Sequence, residues 1–123
     1  MATILLVEDN ELNRDMLARR LARKAYVVDI AENGKSALEA VALDRPDIIL
    51  LDMSIPVIDG WVVTKQLKAD PETAHIPIIA LTAHAMTEDR RKALEAGCDE
   101  YVSKPVDFSE LLEKIESLLG DRT

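Results

Sequence analysis

The sequence predicts an α/β domain in which a parallel five-stranded sheet carries helices on both faces. Five short apolar runs rich in β-branched residues recur along the 123 residues, and helical patterns separate them. The third and fourth runs are continuously aliphatic, which is typical of parallel strands buried on both faces. A regular alternation of strand and helix is the pattern that gives layered folds of this kind.

The predicted strands are short, and the best of them end beside polar residues. In chain order they are Ile4–Val7, Val27–Ile30, Ile48–Leu51, Ile78–Leu81 and Tyr101–Val102. No linker or shift in composition divides the chain. We therefore expect one domain spanning residues 1–123.

Five helices are predicted from apolar residues at helical spacing. Their marker residues run from Leu12 to Leu21, Leu38 to Ala42, Val62 to Leu67, Thr87 to Leu94 and Leu111 to Leu119. Asp70-Pro71 ends the third helix, because the residue before a proline disfavours helical geometry. Asp107 and Glu110 form a capping pair before the fifth helix, and Gly120 is expected to close it.

Composition excludes several classes of function. The 15 Lys and Arg are outnumbered by 23 Asp and Glu, giving a net charge of −8, and aromatic residues make up 3%. Nucleic acid is therefore not expected as a partner, because its binding needs clustered cations or stacking aromatics. The lone Cys98 cannot form an internal disulfide or a multi-cysteine zinc site. No secretion signal or membrane-spanning run is found, so we expect a cytoplasmic protein without membrane contact.

Acidic residues follow the first and third strands. In doubly wound sheets ligands bind where the strand order reverses, and the flavodoxin-like order 2-1-3-4-5 puts that point between strands 1 and 3. Glu8, Asp9 and Asp52 would meet there. Three carboxylates repel one another, so the cluster favours a divalent cation such as Mg²⁺. The competing interpretation is that they are ordinary solvated acids at strand ends.

Two further polar residues follow the fourth and fifth strands. Thr82-Ala83 and Lys104-Pro105 come at the ends of these strands and project to the same edge of the sheet. Alone, Thr82 would be a turn residue and Lys104 a solvated lysine. Beside a metal-binding acid cluster, a lysine and a hydroxyl are the groups that hold a phosphoryl group.

These motifs, in register along the chain, resemble the receiver domain of bacterial two-component response regulators. The matching positions are Glu8-Asp9, Asp52-Met53, Pro56 with Asp59-Gly60, Thr82-Ala83 and Lys104-Pro105. The likeness covers essentially the whole chain and is strongest to stand-alone receivers of the chemotaxis type. The stretch from Leu81 to Met86 is also similar to receivers attached to hybrid kinases.

The resemblance implies a phosphoacceptor rather than an enzyme, with intrinsic magnesium-dependent self-phosphorylation and dephosphorylation. Asp52 would accept phosphoryl from a phosphohistidine on a sensor histidine kinase or a histidine phosphotransfer protein. Mg²⁺, or Mn²⁺, would be held by Glu8, Asp9, Asp52 and the Met53 carbonyl, with Glu8 acting through water. An unknown protein target and a monomer or a phosphorylation-dependent dimer are also implied.

The resemblance further implies how the switch works. Lys104 would pair first with Asp52 and then with the phosphoryl oxygens, and its bond to Pro105 would be cis. Thr82 would move to bind the phosphoryl group, while Tyr101 would swing inward. The surface that changes would be helix 4, strand 5 and helix 5.

Some positions depart from the usual residues of the family, and others are positions that vary within it and affect the phosphoryl group. Ala25 stands where the family often has glycine, so a strained left-handed turn is expected after helix 1. Ser54 and His84 occupy positions that tune the lifetime of the phosphoryl group in this family. The chain stops shortly after helix 5, so output is expected through protein contacts, through transfer of phosphoryl to a histidine phosphotransfer protein, or through draining a kinase of phosphoryl groups.

Three other functions compete with this interpretation. A flavin electron carrier is disfavoured, because Glu8-Asp9-Asn10 would repel a phosphate and only four aromatic residues are present. A hydrolase acting through an aspartyl phosphate would want an acid where Ser54 stands. A phosphate-independent pseudo-receiver is the main alternative. The presence of Asp9, Asp52, Thr82 and Lys104 argues against it.

Overall fold

Five strands form one parallel sheet in the computed structural model, which describes residues 2–83 and 87–120. They are β1 (Thr3–Val7), β2 (Val27–Ala31), β3 (Ile48–Asp52), β4 (Ile78–Thr82) and β5 (Glu100–Ser103). Their spatial order is β2-β1-β3-β4-β5, which confirms the predicted order. Each predicted run lies inside a strand, and β3 and β4 extend as far as Asp52 and Thr82.

The five predicted helices are all present. They are α1 (Glu11–Arg23), α2 (Gly34–Leu43), α3 (Gly60–Ala69), α4 (Thr87–Ala96) and α5 (Phe108–Gly120). Helix α3 ends with Asp70 as its C-terminal cap, directly before Pro71. Gly120 is the last residue of α5 itself, not a cap beyond it. None of the described helices is long and apolar enough to cross a membrane.

The sheet separates two cores. Strands β3 and β4 are buried along their whole length, as their aliphatic sequences predict. On one face α2, α3 and α4 cover the sheet with residues such as Val41, Val63 and Ala93. On the other face α1 and α5 contribute Leu21 and Ile115. Helices therefore cover both faces of the sheet, and functional side chains have to lie where the strands end.

Helix α1 departs from its sequence pattern. Leu17 and Leu21 are buried, but Leu12 is 80% exposed and Met16 is 54% exposed, although both fit the apolar stripe. The first turns of α1 lie beside the loop after β5, where Met16 and Pro105 line a groove of about 220 Å³. Helical spacing predicts which residues share a face of α1, but it does not predict how much of that face the sheet covers.

The turn after α1 and the strand that follows it are both exposed to solvent. Ala25 has a φ of 70°, which is the strained left-handed geometry expected where a glycine is common. Strand β2 is at one edge of the sheet, and Val27 and Ile30 are 43% and 46% exposed there. Asp29 lies between them and is also exposed.

Candidate functional site

The parallel pairing of β1 with β3 brings the predicted acids together. Val7 pairs with Leu51, so Glu8 and Asp52 follow these residues at the same edge of the sheet. One carboxylate oxygen from each of Glu8, Asp9 and Asp52 lies within 4.8 Å of the others. Glu8 is 1% exposed and Asp52 is 2% exposed, whereas Asp9 faces solvent. Two carboxyl groups of the cluster are thus buried, and the third is accessible to solvent.

Lys104 closes the cluster from the loop after β5. Its backbone N–H donates to the Thr82 carbonyl at 2.7 Å, which continues the β4–β5 pairing. Its Nζ donates to Asp52 Oδ2 at 2.7 Å and to Glu8 Oε1 at 3.2 Å. The Lys104–Pro105 peptide bond is cis in the structure. One ammonium therefore faces two buried carboxyl groups.

The two buried carboxyls differ in their ease of protonation. Burial, together with the neighbouring Asp52, raises the pKa of Glu8 to about 7. Burial also acts to raise the pKa of Asp52, but Glu8, Lys104 and the Ser54 amide stabilise its carboxylate and hold that pKa below its usual value. Burial alone would lower the pKa of Lys104, yet the adjacent carboxyls raise it. Asp52 is therefore the more readily ionised of the two.

The site has an unmet need for positive charge. Oε2 of Glu8 is buried and has no hydrogen-bond partner among residues 2–83 and 87–120. Leaving a buried carboxylate oxygen without a partner is costly, so such atoms usually mark a bound group. Three carboxylates with room for water are the donor set that suits a small, hard divalent cation. The residues present therefore fit a magnesium-type ion.

The remaining predicted residues lie at or near this edge. Thr82 is the last residue of β4 and is 4% exposed, one position beyond Leu81, which pairs with Asp52. Met53 follows Asp52, is 5% exposed and donates its N–H to the Leu81 carbonyl at 3.1 Å. The structure thus brings every predicted metal and phosphoryl residue to one place. His84 lies outside the described residues.

Tyr101 is half-buried in β5 and lies against α5. Lys114 Nζ donates to the Tyr101 carbonyl at 2.6 Å and sits 5.0 Å from the centroid of its ring. Lys114 also pairs with Glu110 at 3.2 Å, within α5. The predicted switch residue is therefore tied to the helix that the resemblance assigns to the changing surface.

Two contacts at the site were not predicted. The Ser54 N–H donates to Asp52 Oδ1 at 2.9 Å, so the backbone after the strand orients the carboxylate. Arg14 Nη1 donates to the Glu8 carbonyl at 3.1 Å and lies 3.6 Å from Glu32. A cation near the start of a helix opposes the helix dipole, and that was the available signal for Arg14.

Comparison with known proteins agrees with this geometry. Residues 4–116 match the family model for the response regulator receiver domain. The polar-differentiation response regulator DivK of Brucella anthropi is 41% identical over 119 residues, covering 97% of each chain. These matches extend over nearly the whole chain, not over one motif.

Solved structures of receiver domains share the fold. The receiver domain of the sensor histidine kinase PA1611 from Pseudomonas aeruginosa, solved with magnesium in its active site cleft, has a TM-score of 0.89 and 36% identity over 97% of this chain and 98% of that one. The receiver domain of Saccharomyces cerevisiae Ssk1, solved with the histidine phosphotransfer protein Ypd1, gives 0.88 and 30% over 94% and 86%. The sequence-based resemblance is confirmed: this chain belongs to the response regulator receiver domains of two-component signalling.

Proposed function

We propose that Asp52 is the phosphoacceptor of a two-component phosphorelay. The observation that carries this proposal is the convergence of Glu8, Asp9 and Asp52 within 4.8 Å of one another, with Lys104 Nζ 2.7 Å from Oδ2 of the buried Asp52. A buried carboxylate surrounded by two further acids and a cation is a poor structural element, but it is well placed for phosphoryl transfer, which depends on alignment and charge neutralisation. The phosphodonor would be a sensor histidine kinase or a histidine phosphotransfer protein, as in the Ypd1 and Ssk1 complex.

The chemistry needs alignment and charge neutralisation more than acid–base help. An oxygen of Asp52 forms a bond to phosphorus as the bond from phosphorus to the donor imidazole nitrogen breaks. The imidazole leaves with the electron pair. The Ser54 amide fixes the orientation of the carboxylate, and Lys104 remains to pair with the phosphoryl oxygens.

Mg²⁺, or Mn²⁺, is the cofactor that the cluster supports best. The carboxylates of Glu8, Asp9 and Asp52 and the carbonyl of Met53 would hold it, with Glu8 acting through water as the resemblance implies. When bound, the ion supplies the positive charge that lets an anionic donor approach an anionic acceptor. The magnesium in the PA1611 receiver supports this assignment.

The proposed response runs from Asp52 towards α5. Thr82 would bind the new phosphoryl group from the end of β4, and Tyr101 would move inward in β5. Because Lys114 binds both the ring and the carbonyl of Tyr101, a change there would reach α5. The surface of α4, β5 and α5 would then bind an unknown protein target, and intrinsic dephosphorylation would reset it.

A mass measurement tests the phosphoacceptor. Acetyl phosphate with Mg²⁺ should add one phosphoryl group to the wild-type protein, and Asp52→Asn should abolish this gain. Asp29→Asn is the matched control, because Asp29 is exposed on the edge strand β2. Equal uptake in wild type and Asp52→Asn would overturn the assignment of Asp52. No uptake in the wild type would favour the phosphate-independent module.

A further inference from the structure

The loop that follows Asp52 contains a strained turn. This β3–α3 loop covers residues 53–59, and within it the Ile58 N–H donates to the Pro56 carbonyl at 2.9 Å. Val57, between them, has a φ of 72°. A turn closed over so few residues with positive φ is rare, and a β-branched centre makes it less favourable still. Val57 is 71% exposed, so its own side chain does not hold the turn in place.

The start of α2 lies against the outside of this turn. Gly34 donates its N–H to the Pro56 carbonyl at 3.3 Å, the same oxygen that Ile58 uses. A Cβ atom at Gly34 would lie 2.0 Å from the Ile58 oxygen and 2.8 Å from the Ile58 Cβ. Residue 34 therefore has no space for a side chain, because the two backbones are in direct contact.

The helix side of this contact is rigid. The Asn33 side chain accepts from the Ser36 N–H at 2.8 Å, and the Ser36 hydroxyl accepts from the Asn33 N–H at 3.2 Å. This reciprocal capping box fixes the first turn of α2. A shift forced at residue 34 would therefore move the β3–α3 loop more readily than it would move the helix.

The other side of the loop leads directly to the phosphoacceptor. The Ser54 N–H donates to Asp52 Oδ1 at 2.9 Å, and Met53 supplies the proposed carbonyl ligand. At the far end of the loop the Gly60 N–H donates to the Met53 carbonyl at 3.4 Å. A Cβ at Gly60 would lie 2.5 Å from Met53 Sδ, so the loop has little space to yield there. A displacement of Ile58 would therefore shift the backbone of Met53 and Ser54.

We propose that Gly34 is a positioning residue for phosphoryl acceptance, which it serves by clamping the β3–α3 loop against α2. This inference rests on the proposed role of Asp52. The clamp holds the strained turn at Val57, and the turn in turn holds the Ser54 amide and the Met53 carbonyl in register with the acid cluster. Gly34 touches neither substrate nor metal.

Substitution of Gly34 tests the clamp through two separate readouts. Gly34→Ala should slow phosphoryl uptake from acetyl phosphate about 10- to 100-fold, since displacements near 1 Å cost that much in aligned reactions. The fluorescence of Trp61, in the first turn of α3, serves as the readout of Mg²⁺ binding. Gly34→Ala should raise the Mg²⁺ concentration that gives half of the fluorescence change, measured without any phosphodonor. Gly120→Ala is the matched control, because a Cβ there would meet no described atom within 4 Å.

A gentler pair of variants applies if Gly34→Ala does not fold. Asn33→Ala removes one half of the capping box without any steric clash, and should raise the Mg²⁺ midpoint about 2- to 5-fold. Asn33→Ser keeps a capping oxygen and should restore the wild-type midpoint. A purely structural role would lower the denaturation midpoint of these variants and leave the Mg²⁺ midpoint and the uptake rate unchanged.

The outcomes separate the clamp from the phosphoacceptor assignment. Wild-type uptake and Mg²⁺ midpoints in Gly34→Ala and Asn33→Ala would overturn the clamp, even with Asp52 established as the acceptor. If the mass measurement showed that Asp52 is not the acceptor, the shift in the Mg²⁺ midpoint would still test whether Gly34 positions the loop. A raised midpoint in both variants, with rescue by Asn33→Ser, is the result expected.

Discussion

Two half-buried lysines lie at opposite edges of the sheet, and their surroundings differ in charge balance. At the carboxyl edge Lys104 is 26% exposed and contacts Glu8 and Asp52. At the amino edge Lys68 is 18% exposed and contacts Asp99 at 2.9 Å. Both ammonium groups are held by a carboxylate, so the contact alone does not distinguish a site from a support.

The remaining contacts do distinguish them. Lys68 Nζ also donates to the carbonyls of Ala74 and Ile76, at 3.1 and 2.8 Å. Asp99 Oδ2 accepts a further bond from the Ile78 N–H at 2.8 Å. One cation, one anion and backbone groups saturate one another there, and the result is a fixed corner of the fold.

The cluster around Lys104 is not saturated. Three carboxyl groups converge there, two of them share the Lys104 ammonium, and Oε2 of Glu8 has no partner in the described part of the chain. A buried charge that the fold itself does not balance is costly, so the cluster favours a cationic ligand. The charge balance therefore distinguishes the structural ion pair at Lys68 from the candidate binding site at Lys104.

The largest expected effect is the loss of Lys104. Lys104→Met should reduce phosphoryl uptake about 100- to 1000-fold, because a positioned donor to developing charge is removed. The Mg²⁺ midpoint should fall in the same variant, since a competing cation has left the cluster. Rates by intact-mass spectrometry and titration of Trp61 fluorescence check both. Lys65→Met, on an exposed lysine of α3, is the control. Unchanged uptake would show that Lys104 is only a structural partner.

The next effect concerns the exposed acid of the cluster. Asp9→Ala should raise the Mg²⁺ midpoint about 10- to 100-fold, since loss of a direct ligand costs at least as much as loss of its support. Fluorescence quenching of Trp61 by Mg²⁺ measures it. Asp29→Ala removes the same charge at a distance and should leave the midpoint in place. Equal midpoints in both variants would count against the metal site.

Lys68→Met should show the opposite profile. Removing this cation leaves Asp99 and two carbonyls short of a donor, so the free energy of unfolding should fall by about 1 to 3 kcal/mol. Urea denaturation measures the loss, and Mg²⁺ should not restore it. Phosphoryl uptake by the folded variant should stay at the wild-type rate. A strong loss of uptake at full stability would remove the distinction between the two lysines.

The smallest effect is at Cys98, beside Asp99. Burial raises the pKa of this thiol to about 11, and the proximity of Asp99 acts in the same direction. The folded state therefore disfavours the thiolate, so stability is full below the pKa of the unfolded thiol and is lost as pH rises towards the folded value. Wild type should lose about 1 kcal/mol more than Cys98→Ala between pH 8 and pH 10. Parallel denaturation curves for the two proteins would contradict the shift.

The placement of the acidic cluster could be predicted because the point where each strand ends can be read from the sequence alone. Buried aliphatic runs fix where β1, β3 and β4 stop, and parallel pairing then places Glu8, Asp52 and Thr82 at one edge. Chain order and strand order were enough for this step. The resemblance to receivers added the roles, not the placement.

The unpredicted part depends on packing across the chain. Lys68 sits in α3 like any solvated lysine, and only the fold brings the carbonyls of Ala74 and Ile76 to it. Gly34 is ordinary at a helix start, and its need for space comes from Ile58. Leu12 and Met16 are exposed because α1 runs past the sheet. Such contacts join residues that are far apart in the chain, so they produce no periodic pattern in the sequence.

The edge strand β2 has a consequence for the behaviour of the protein in concentrated solution. Among the residues that the structure describes, no strand pairs with its outer side, and Val27 and Ile30 add apolar surface there. Open edges of this kind invite sheets to add to one another, and a charge on the edge opposes it. Where two copies align edge to edge with Asp29 opposite Asp29, the two like charges repel, so this carboxylate opposes that pairing of the sheets.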